Sequence, residues 1–370
     1  MKINFVDLPG QYRSIKQDVL QDVEKALDTG GFMGSEEFEE KFAAYHELKY
    51  CVGVGSGTDA LLLSLLALGI GPGDEVIVPA NTYIATAFAV SHTGAKPVFV
   101  DPDPYTYTMG IEGLQDAVTD RTAAIIPVHL YGYPADMHAV MAVADTYNLK
   151  VVEDCAQSAG AIFNNRNTGT FGDIGCYSFY PAKNLGGLGQ GGAIVTNDED
   201  RARVVRELGN VGRSSGSWFD YDHVGFNSRL DALNAKFLSH CLDKLDSWND
   251  HRREAAYWYG QNLSSVEEVF TPASAYNGTY PVYHLYELRC EDKDTRDSLK
   301  GFLNDKGIPT GLHYPKPCHL QSMYLDSEAQ CPISEKLSDT LLSLPMHPKL
   351  TEGEVKYVCD NIKEFFGGLR

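Results

Sequence analysis

Basic residues are scarce in this sequence, which has 31 Lys and Arg against 50 Asp and Glu and a formal net charge of −19. Because nucleic-acid binding depends on clustered Lys and Arg that neutralise phosphates, this composition argues against a nucleic-acid partner. Long hydrophobic runs are lacking as well. The longest, residues 60–70, is too short to cross a bilayer and contains Ser64 and Gly69. We therefore expect neither nucleic acid nor a membrane as a partner.

Paired cysteines are missing too. The eight cysteines are spread singly along the chain without a CxxC pair, which argues against zinc-ribbon and dithiol redox motifs. Several lie in apolar runs, so we expect reduced thiols that pack as small hydrophobic side chains. No set of His, Cys and carboxylates has metal-ligand spacing, and residues 1–7 lack the apolar segment of a signal peptide. The expectation is a cytoplasmic protein without a metal site.

Residues 50–200 alternate between short runs rich in Val and Ile and segments with helical periodicity. The runs are apolar on both faces, as strands of a buried parallel sheet are. Their alternation with helices is typical of an α/β domain. The predicted strands are residues 51–55, 75–79, 97–101, 123–128, 150–153, 175–179 and 193–196, and the predicted helices are 58–68, 82–92 and 137–147.

The character of the sequence changes after residue 196. Residues 209–225 contain four glycines among Ser and Asp and are predicted to form a loop. A long helical periodicity follows from 230 to 262, then a strand at 283–290, a helix near 295–306 and a last helix from residue 351. The sequence therefore predicts a large domain, residues 1–228, and a smaller α+β domain, residues 229–370.

A glycine-rich turn, GVGSGT at residues 53–58, joins the first predicted strand to the first helix. The N-terminus of a helix presents free backbone N–H groups and the positive end of the helix dipole, which suits a phosphate. Gly57 and Thr58 are the candidate phosphate-binding residues. Simple N-capping by Ser56 or Thr58 is the competing explanation, because Ser and Thr are common caps.

Asp154 stands at the end of the predicted strand 150–153. Ligands of open α/β sheets bind outside the carboxyl ends of the strands, so Asp154 is a candidate ligand-facing carboxylate. For a single Asp considered alone, a structural role in a cap or turn is the simpler explanation.

Lys183 follows a β-like run and precedes a stretch with five glycines among seven residues, 186–192. Glycines permit a close approach of backbone to a cofactor, and lysine forms Schiff bases where its surroundings lower its pKa. A solvated surface lysine is the alternative. Tyr83, after the strand at 75–79, is a candidate for stacking on a flat ring. A phosphate seat, a ring stacker, a carboxylate and a Schiff-base lysine together match the needs of pyridoxal phosphate (PLP).

Six ordered motifs resemble the DegT/DnrJ/EryC1/StrS family of sugar aminotransferases. They are GSGTDAL (55–61), VPANTYIATA (78–87), VEDCAQSAGA (152–161), SFYPAKNLGGLGQGGA (178–193), GFNSRLDALNA (225–235) and GLHYPKPCHLQ (311–321). The resemblance implies the type I, aspartate aminotransferase-like PLP fold, with a large, mainly parallel-sheet domain and a smaller α+β domain.

The same resemblance implies a role for individual residues. Lys183 would form the Schiff base with PLP and shuttle the proton, and Asp154 would pair with the pyridine nitrogen. Gln157 would contact the ring hydroxyl, Tyr83 would stack on the ring, and the phosphate would be held by Gly57, Thr58 and Ser178. Asn227 would reach the cofactor of the neighbouring subunit in a homodimer. His313 and Tyr314 would line the sugar pocket, with Arg213 as a weaker candidate for an anionic group.

The resemblance further implies transfer of an amino group from L-glutamate to C3 of a dTDP-linked 3-keto-6-deoxyhexose. A C4 keto-sugar aminotransferase and a PLP-dependent sugar dehydratase are the alternatives within the family. The dehydratase branch replaces the lysine with histidine, whereas Lys183 is intact here. A non-catalytic sensor of PLP or a sugar nucleotide is the more distant alternative, because a fold does not fix a function.

Overall fold

A computed structural model describes residues 3–273 and 278–368. The strands in these ranges are β1 (Tyr50–Val54), β2 (Glu75–Pro79), β3 (Lys96–Val100), β4 (Thr122–Ile125), β5 (Lys150–Asp154), β6 (Ile162–Phe163), β7 (Arg166–Asn167), β8 (Ile174–Ser178), β9 (Gly192–Thr196), β10 (Val269–Phe270), β11 (Thr279–Tyr280), β12 (Tyr286–Cys290) and β13 (Leu341–Leu344). The helices are α1 (Leu8–Tyr12), α2 (Lys16–Thr29), α3 (Glu36–Tyr45), α4 (Gly57–Ala67), α5 (Ala85–Thr93), α6 (Met137–Tyr147), α7 (Glu199–Gly209), α8 (Ala232–Leu263), α9 (Lys293–Asp305), α10 (Pro332–Thr340) and α11 (Glu352–Gly368).

The seven strands predicted between residues 50 and 200 all form and belong to one sheet, in the order β1-β9-β8-β5-β4-β2-β3. Only β9 runs antiparallel to its neighbours, β1 and β8, so the prediction of a mainly parallel sheet is confirmed. The carboxyl ends of the six parallel strands share one edge. The loops after β1, β2, β5 and β8 therefore meet there, and they carry most of the candidate site residues.

Both faces of the large sheet are buried. Val76 and Val78 of β2 pack into a hydrophobic cluster with α4 and α5, whereas Ile77 between them packs with α6 on the opposite face. This alternation follows from the period of two in a strand. It explains why a strand covered on both faces has the continuous apolar sequence that identified it.

Helix α8 contributes to two hydrophobic cores. Phe237 and Leu245 in its first half pack in a cluster with α3 and β9, whereas Ala255 and Tyr259 in its second half pack with β12, β13 and α11. The 32 residues of the helix extend about 48 Å at 1.5 Å per residue, which is long enough to serve both. The division predicted between residues 228 and 229 precedes this shared helix and stays a prediction.

Two predicted elements begin three residues later than expected. The helix predicted from residue 82 begins at Ala85, because Thr82 and Tyr83 form the turn that enters the site. The strand predicted from residue 283 begins at Tyr286. Tyr283 has a φ of 42°, in the left-handed region, which interrupts extended backbone before that point.

Candidate active site

A cavity of about 470 Å³ opens at the carboxyl edge of the large sheet. The segment after α9 that contains residues 311–314 forms its other wall. The predicted site residues that line it are Gly57, Thr58, Tyr83, Asp154, Gln157, Ser178, Lys183, His313 and Tyr314. Residues from five separate parts of the sequence are thus brought to one space.

The floor of the cavity includes the N-terminus of α4. Ser56 caps this helix, accepting the N–H of Asp59 at 3.1 Å, so the capping expectation for Ser56 is confirmed, and the N–H groups of Gly57 and Thr58 belong to the uncapped first turn. A Cβ on Gly57 would lie 2.6 Å from Cβ of Ser178, so only glycine allows this close approach. Ser178 Oγ accepts the N–H of Tyr180 at 3.4 Å, which leaves its hydroxyl proton available. The geometry suits a phosphate held by backbone and hydroxyl donors.

Asp154 is a buried carboxylate that is held by donors. Its Oδ2 accepts the hydroxyl of Thr86 at 2.8 Å, and its Oδ1 accepts the N–H of Ala156 at 3.0 Å. Burial raises the pKa of Asp154, while these two hydrogen bonds and the nearby Lys183 oppose the rise. Thr86 was not identified from the sequence. It lies on the helix after Tyr83, and the short motif that contains it does not indicate which hydroxyl faces the carboxylate.

Thr82 extends this arrangement by one hydroxyl. Its Oγ1 lies 3.0 Å from Oγ1 of Thr86. Because the proton of Thr86 is already donated to Asp154, Thr82 donates to Thr86. The carboxylate is therefore the end of a short chain of donors, which is the arrangement that stabilises a buried anion.

Lys183 is partly buried on the wall of the cavity. Burial lowers the pKa of its amine to about 8, and the negative charge of Asp154 opposes the fall. The glycines after Lys183 have a steric reason. A Cβ on Gly186 would lie 2.2 Å from the carbonyl oxygen of Pro181, and a Cβ on Gly187 would lie 2.4 Å from Oδ1 of Asn234. The backbone can fold back tightly behind the lysine only without side chains at these positions.

Gln157 joins the two walls of the cavity. Its Oε1 accepts the N–H of Tyr131 at 2.7 Å, and its Nε2 donates to the hydroxyl of Tyr314 at 3.1 Å. The second N–H of Nε2 is left for another acceptor. Tyr83 lies against Tyr314, with ring centroids 5.8 Å apart at 42°, and is 56% exposed.

His313 faces the cavity, and contacts with two neighbouring side chains hold its ring in place. Its Nδ1 lies 2.6 Å from Oγ of Ser343, and Phe5 stacks on its ring at 6.2 Å. Burial, together with the charge of Lys183, lowers the pKa of this imidazole to about 4. The ring is neutral at physiological pH, so it can act as donor or acceptor but carries no charge.

His284 also lines the cavity, although its sequence context favours a structural role. Its Nδ1 lies 3.1 Å from Oδ1 of Asn184, whose amide group donates to Asn249 and to the carbonyl of Val282. Asn184 therefore accepts from His284, which fixes the proton on Nδ1. This hydrogen bond gives His284 a structural role, and its ring also lines the cavity.

Two predicted residues lie outside this cavity. Arg213 lines a separate cavity of about 660 Å³ with Arg206 and Trp218, and its guanidinium lies 5.1 Å from the centre of the Trp218 ring. Asn227 is exposed and forms an isolated backbone bridge with Asn210. Within one chain the structure therefore does not bring Arg213 or Asn227 to the lysine.

One buried group of three potential metal ligands occurs in the described ranges: His129, Glu153 and Cys155, with ligand atoms within 4.8 Å of one another. Hydrogen bonds already engage the histidine and the glutamate. His129 Nδ1 accepts the N–H of Ala135, so Nε2 carries the proton and donates to Glu153 at 3.0 Å. Glu153 also accepts three N–H groups of the loop 169–172. The hydrogen bonds to Glu153 therefore hold the loop 169–172 against β5.

The eight cysteines are free and buried, as the sequence predicts. In each case burial raises the pKa of the thiol, so these side chains are neutral and unreactive. Among the helices of the described chain, none combines the length and the apolar character that crossing a membrane requires.

Comparisons with known proteins find similar chains among nucleotide-sugar aminotransferases. The chain is 43% identical over 372 residues to UDP-N-acetyl-3-dehydro-alpha-D-glucosamine 3-aminotransferase of Acidithiobacillus ferrooxidans, covering 99% of this chain and 98% of that protein. It is 42% identical over 370 residues to dTDP-3-amino-3,4,6-trideoxy-alpha-D-glucose transaminase of Streptomyces venezuelae, covering 98% and 96% of the two chains.

Among solved structures, NtdA of Bacillus subtilis with bound cofactor PMP superposes with a TM-score of 0.91 at 31% identity, covering 98% of this chain and 85% of that one. The predicted type I PLP-dependent transferase fold is thereby confirmed. The model of the DegT/DnrJ/EryC1/StrS aminotransferase family matches residues 13–363. The chain belongs to the DegT/DnrJ/EryC1/StrS aminotransferase family.

Proposed function

We propose that this chain uses PLP to transfer an amino group from L-glutamate to the C3 keto group of a dTDP-linked 3-keto-6-deoxyhexose, in the biosynthesis of a deoxyamino sugar. The observation that carries the proposal is that Lys183 and Asp154 line one cavity whose floor is the N-terminus of α4. An amine of lowered pKa, a stabilised carboxylate and a phosphate seat are the three groups that PLP needs.

PLP fits the residues that line the cavity. Backbone N–H groups of Gly57 and Thr58 and the hydroxyl of Ser178 suit its phosphate, and the absence of a Cβ at Gly57 leaves the room. Tyr83 is exposed to the cavity and free to stack on a ring, and Gln157 retains one N–H for the ring hydroxyl. When bound, PLP supplies an electron sink that makes the C–H bond beside the amino group acidic.

Lys183 holds the cofactor and moves the proton. An amine with a pKa of about 8 is half uncharged near pH 8, whereas an ordinary lysine amine is almost fully charged there, and only an uncharged Nζ attacks a carbonyl or accepts a proton. In each half-reaction Nζ takes a proton from one carbon and delivers it to the next. Asp154 retains its negative charge through Thr86 and Ala156, and it keeps a proton on the pyridine nitrogen.

His313 and Tyr314 are proposed to bind the sugar, because they line the same cavity as the lysine. The substrate assignment is supported by the GFNSRLDALNA and GLHYPKPCHLQ motifs and by relatives that are named as 3-amino-sugar enzymes. The sugar in the name of the first relative is linked to UDP, and the sugar in the name of the second is linked to dTDP. A C4 keto-sugar is the second candidate, and the intact Lys183 disfavours a dehydratase.

Asn227 is proposed to complete the site of a neighbouring subunit in a homodimer. It is exposed, and it follows a loop with three strongly exposed apolar side chains, Trp218 at 75%, Phe219 at 89% and Val224 at 97%. Exposed apolar surface of this kind marks a protein contact. Arg213 lies in the same loop, so a dimer that carries Asn227 to the neighbouring cavity also brings this cation toward the anionic part of the substrate.

The absorbance spectrum of the purified protein, before and after L-glutamate is added, tests the chemistry. We expect a PLP band that is converted to the band of the aminated cofactor, then ping-pong kinetics with dTDP-linked and UDP-linked 3-keto and 4-keto sugars. Lys183→Ala removes the conversion, whereas the exposed Lys349→Ala is the matched control that retains it. A protein that remains colourless with added PLP contradicts the proposal and favours the sensor. Loss of a sugar hydroxyl without gain of nitrogen favours the dehydratase.

A further inference from the structure

A buried carboxyl group is connected to the sugar side of the cavity through one serine. Glu287 of β12 and Ser343 of β13 are directly paired across the small sheet. The hydroxyl of Ser343 lies within hydrogen-bond distance of Oε1 of Glu287 and 2.6 Å from Nδ1 of His313. Ser343 also exchanges two backbone hydrogen bonds with Gly311, at 3.0 and 2.9 Å. The imidazole of His313, the hydroxyl of Ser343 and the carboxyl group of Glu287 are therefore held in one chain of hydrogen bonds.

The surroundings of Glu287 favour its neutral form. The side chain is 1% exposed, and its Oε2 has no hydrogen-bond partner among the described residues. The titratable groups that face it are the phenols of Tyr107, Tyr131 and Tyr314, all neutral because burial raises their pKa. Arg289, on the same strand, donates instead to the carbonyl of Pro104.

A carboxylate in such a place lacks a compensating cation, so it prefers to keep its proton. Burial raises the pKa of Glu287 to about 8, against a lowering effect of the hydrogen bond from Ser343. Placing the proton on Oε1 makes a hydrogen bond to Ser343. Placing it on Oε2 leaves a buried donor without a partner, so the first arrangement is favoured.

The line of three groups has two self-consistent arrangements of protons. When Glu287 is protonated, it donates to Oγ of Ser343, Ser343 donates to Nδ1 of His313, and the remaining ring nitrogen, Nε2, carries the proton. When Glu287 is ionised, Ser343 donates to it and accepts from Nδ1–H, so Nε2 is bare. Lys183 and His284 are the other titratable groups that act on this imidazole, and burial, assisted by the charge of Lys183, keeps it from taking a second proton.

We propose that Glu287 is a positioning residue that determines, through Ser343, which ring nitrogen of His313 carries the proton, so that the imidazole offers the sugar a donor when Glu287 is neutral and an acceptor when it is ionised. This inference rests on the proposed function, in which His313 contacts the sugar. A keto oxygen only accepts hydrogen bonds. The neutral form of Glu287 is therefore the form that binds the keto-sugar.

Nitrogen NMR of the holoenzyme labelled with ¹⁵N-histidine tests the proton arrangement directly, with the His313 signals assigned by their loss in His313→Gln. Between pH 6.5 and 9.5 we expect the proton of wild-type His313 to move from Nε2 to Nδ1 in a single transition. Glu287→Gln and Ser343→Ala should each hold one pattern throughout. A wild-type ring that keeps one pattern, or a Glu287→Gln variant that still shows the transition, overturns the inference. This measurement needs no sugar substrate.

The kinetic counterpart is the pH profile of kcat/KM for the keto-sugar. Above the pH midpoint of the NMR transition, we expect kcat/KM of the wild type to fall by about tenfold per pH unit relative to kcat/KM of Glu287→Gln. The exposed Glu291→Gln is the matched control and should follow the wild type. Identical profiles for Glu287→Gln and the wild type overturn the inference. If the NMR transition occurs but no keto-sugar is aminated, the proposed substrate is wrong, whereas the control of the His313 proton by Glu287 is supported.

Discussion

The hydrogen bond from Thr86 to Asp154 offers a sharp test of the proposed site, because Thr86 contacts the carboxylate of Asp154 without lining the cavity itself. Thr86→Val keeps the shape of the side chain and removes the 2.8 Å donor to Oδ2, while the N–H of Ala156 still serves Oδ1. A hydrogen bond to a charged group contributes about 1.5–3 kcal/mol. Because this hydrogen bond lowers the pKa of Asp154, its loss raises that pKa further in the direction in which burial already acts.

A more basic Asp154 takes back the proton that it should leave on the pyridine nitrogen, which weakens the electron sink. We therefore expect the glutamate half-reaction of Thr86→Val to slow by about tenfold to a hundredfold, since each 1.36 kcal/mol corresponds to a factor of ten. Stopped-flow absorbance of the holoenzyme after addition of L-glutamate measures this rate. The fall should be larger at acidic pH, where the altered carboxyl group is more fully protonated.

The control for this experiment is Thr93→Val. Thr93 is buried at the end of the same helix, and its hydroxyl is bonded to the carbonyl of Val90 and the N–H of Ala95, away from the cavity. Its loss should lower the free energy of unfolding without altering the half-reaction. If Thr86→Val reacts at the wild-type rate, the donor chain does not tune Asp154 and the reasoning is refuted. Equal slowing in both variants would also refute it, because the effect would then be general destabilisation.

Two further predictions concern the lysine and the phosphate seat. Capture of PLP by the apoprotein, followed by absorbance, should accelerate with pH to a midpoint near 8, because burial lowers the pKa of Lys183; Asp154→Asn should move the midpoint lower still, and a wild-type midpoint near 10.5 would contradict the assignment. Gly57→Ala should weaken PLP binding at least about tenfold, because the new Cβ would lie 2.6 Å from Cβ of Ser178. Gly260→Ala is its matched control: it lies in α8 with nothing within 4 Å of its new Cβ, so it should leave PLP affinity unchanged and stabilise the helix by about 0.5–1 kcal/mol.

The strands of the large sheet could be predicted from the sequence because burial on both faces selects apolar residues within each short segment. Strand β2 contains Val-Ile-Val and β5 contains Val-Val, and such a pattern can be recognised without knowledge of the neighbouring strands. The same holds for Lys183 and Gly57, whose neighbouring glycines are imposed by contacts that would otherwise be steric clashes. Local constraints of this kind can be recognised one segment at a time.

Hydrogen bonds between distant segments left no such record. Thr86 reaches Asp154 across 68 residues, and His284 reaches Asn184 across 100. Each residue type is ordinary at its own position, so neither partner could be chosen without the folded chain. Asn227 posed a different problem, since its predicted partner is a second subunit. The single chain places it on the surface, and its role stays a prediction.

The cavity is assembled by two cores, and this division has a consequence for specificity. The large sheet supplies Lys183 and Asp154, which in the proposed function perform the same steps whatever the acceptor is. The small sheet supplies Ser343, which fixes His313 on the opposite wall. The walls are joined by a few hydrogen bonds, such as the one between Gln157 and Tyr314. Changes behind the small sheet can therefore alter how the sugar is bound while the cofactor side keeps its geometry, and Glu287 is the buried position from which such a change would act.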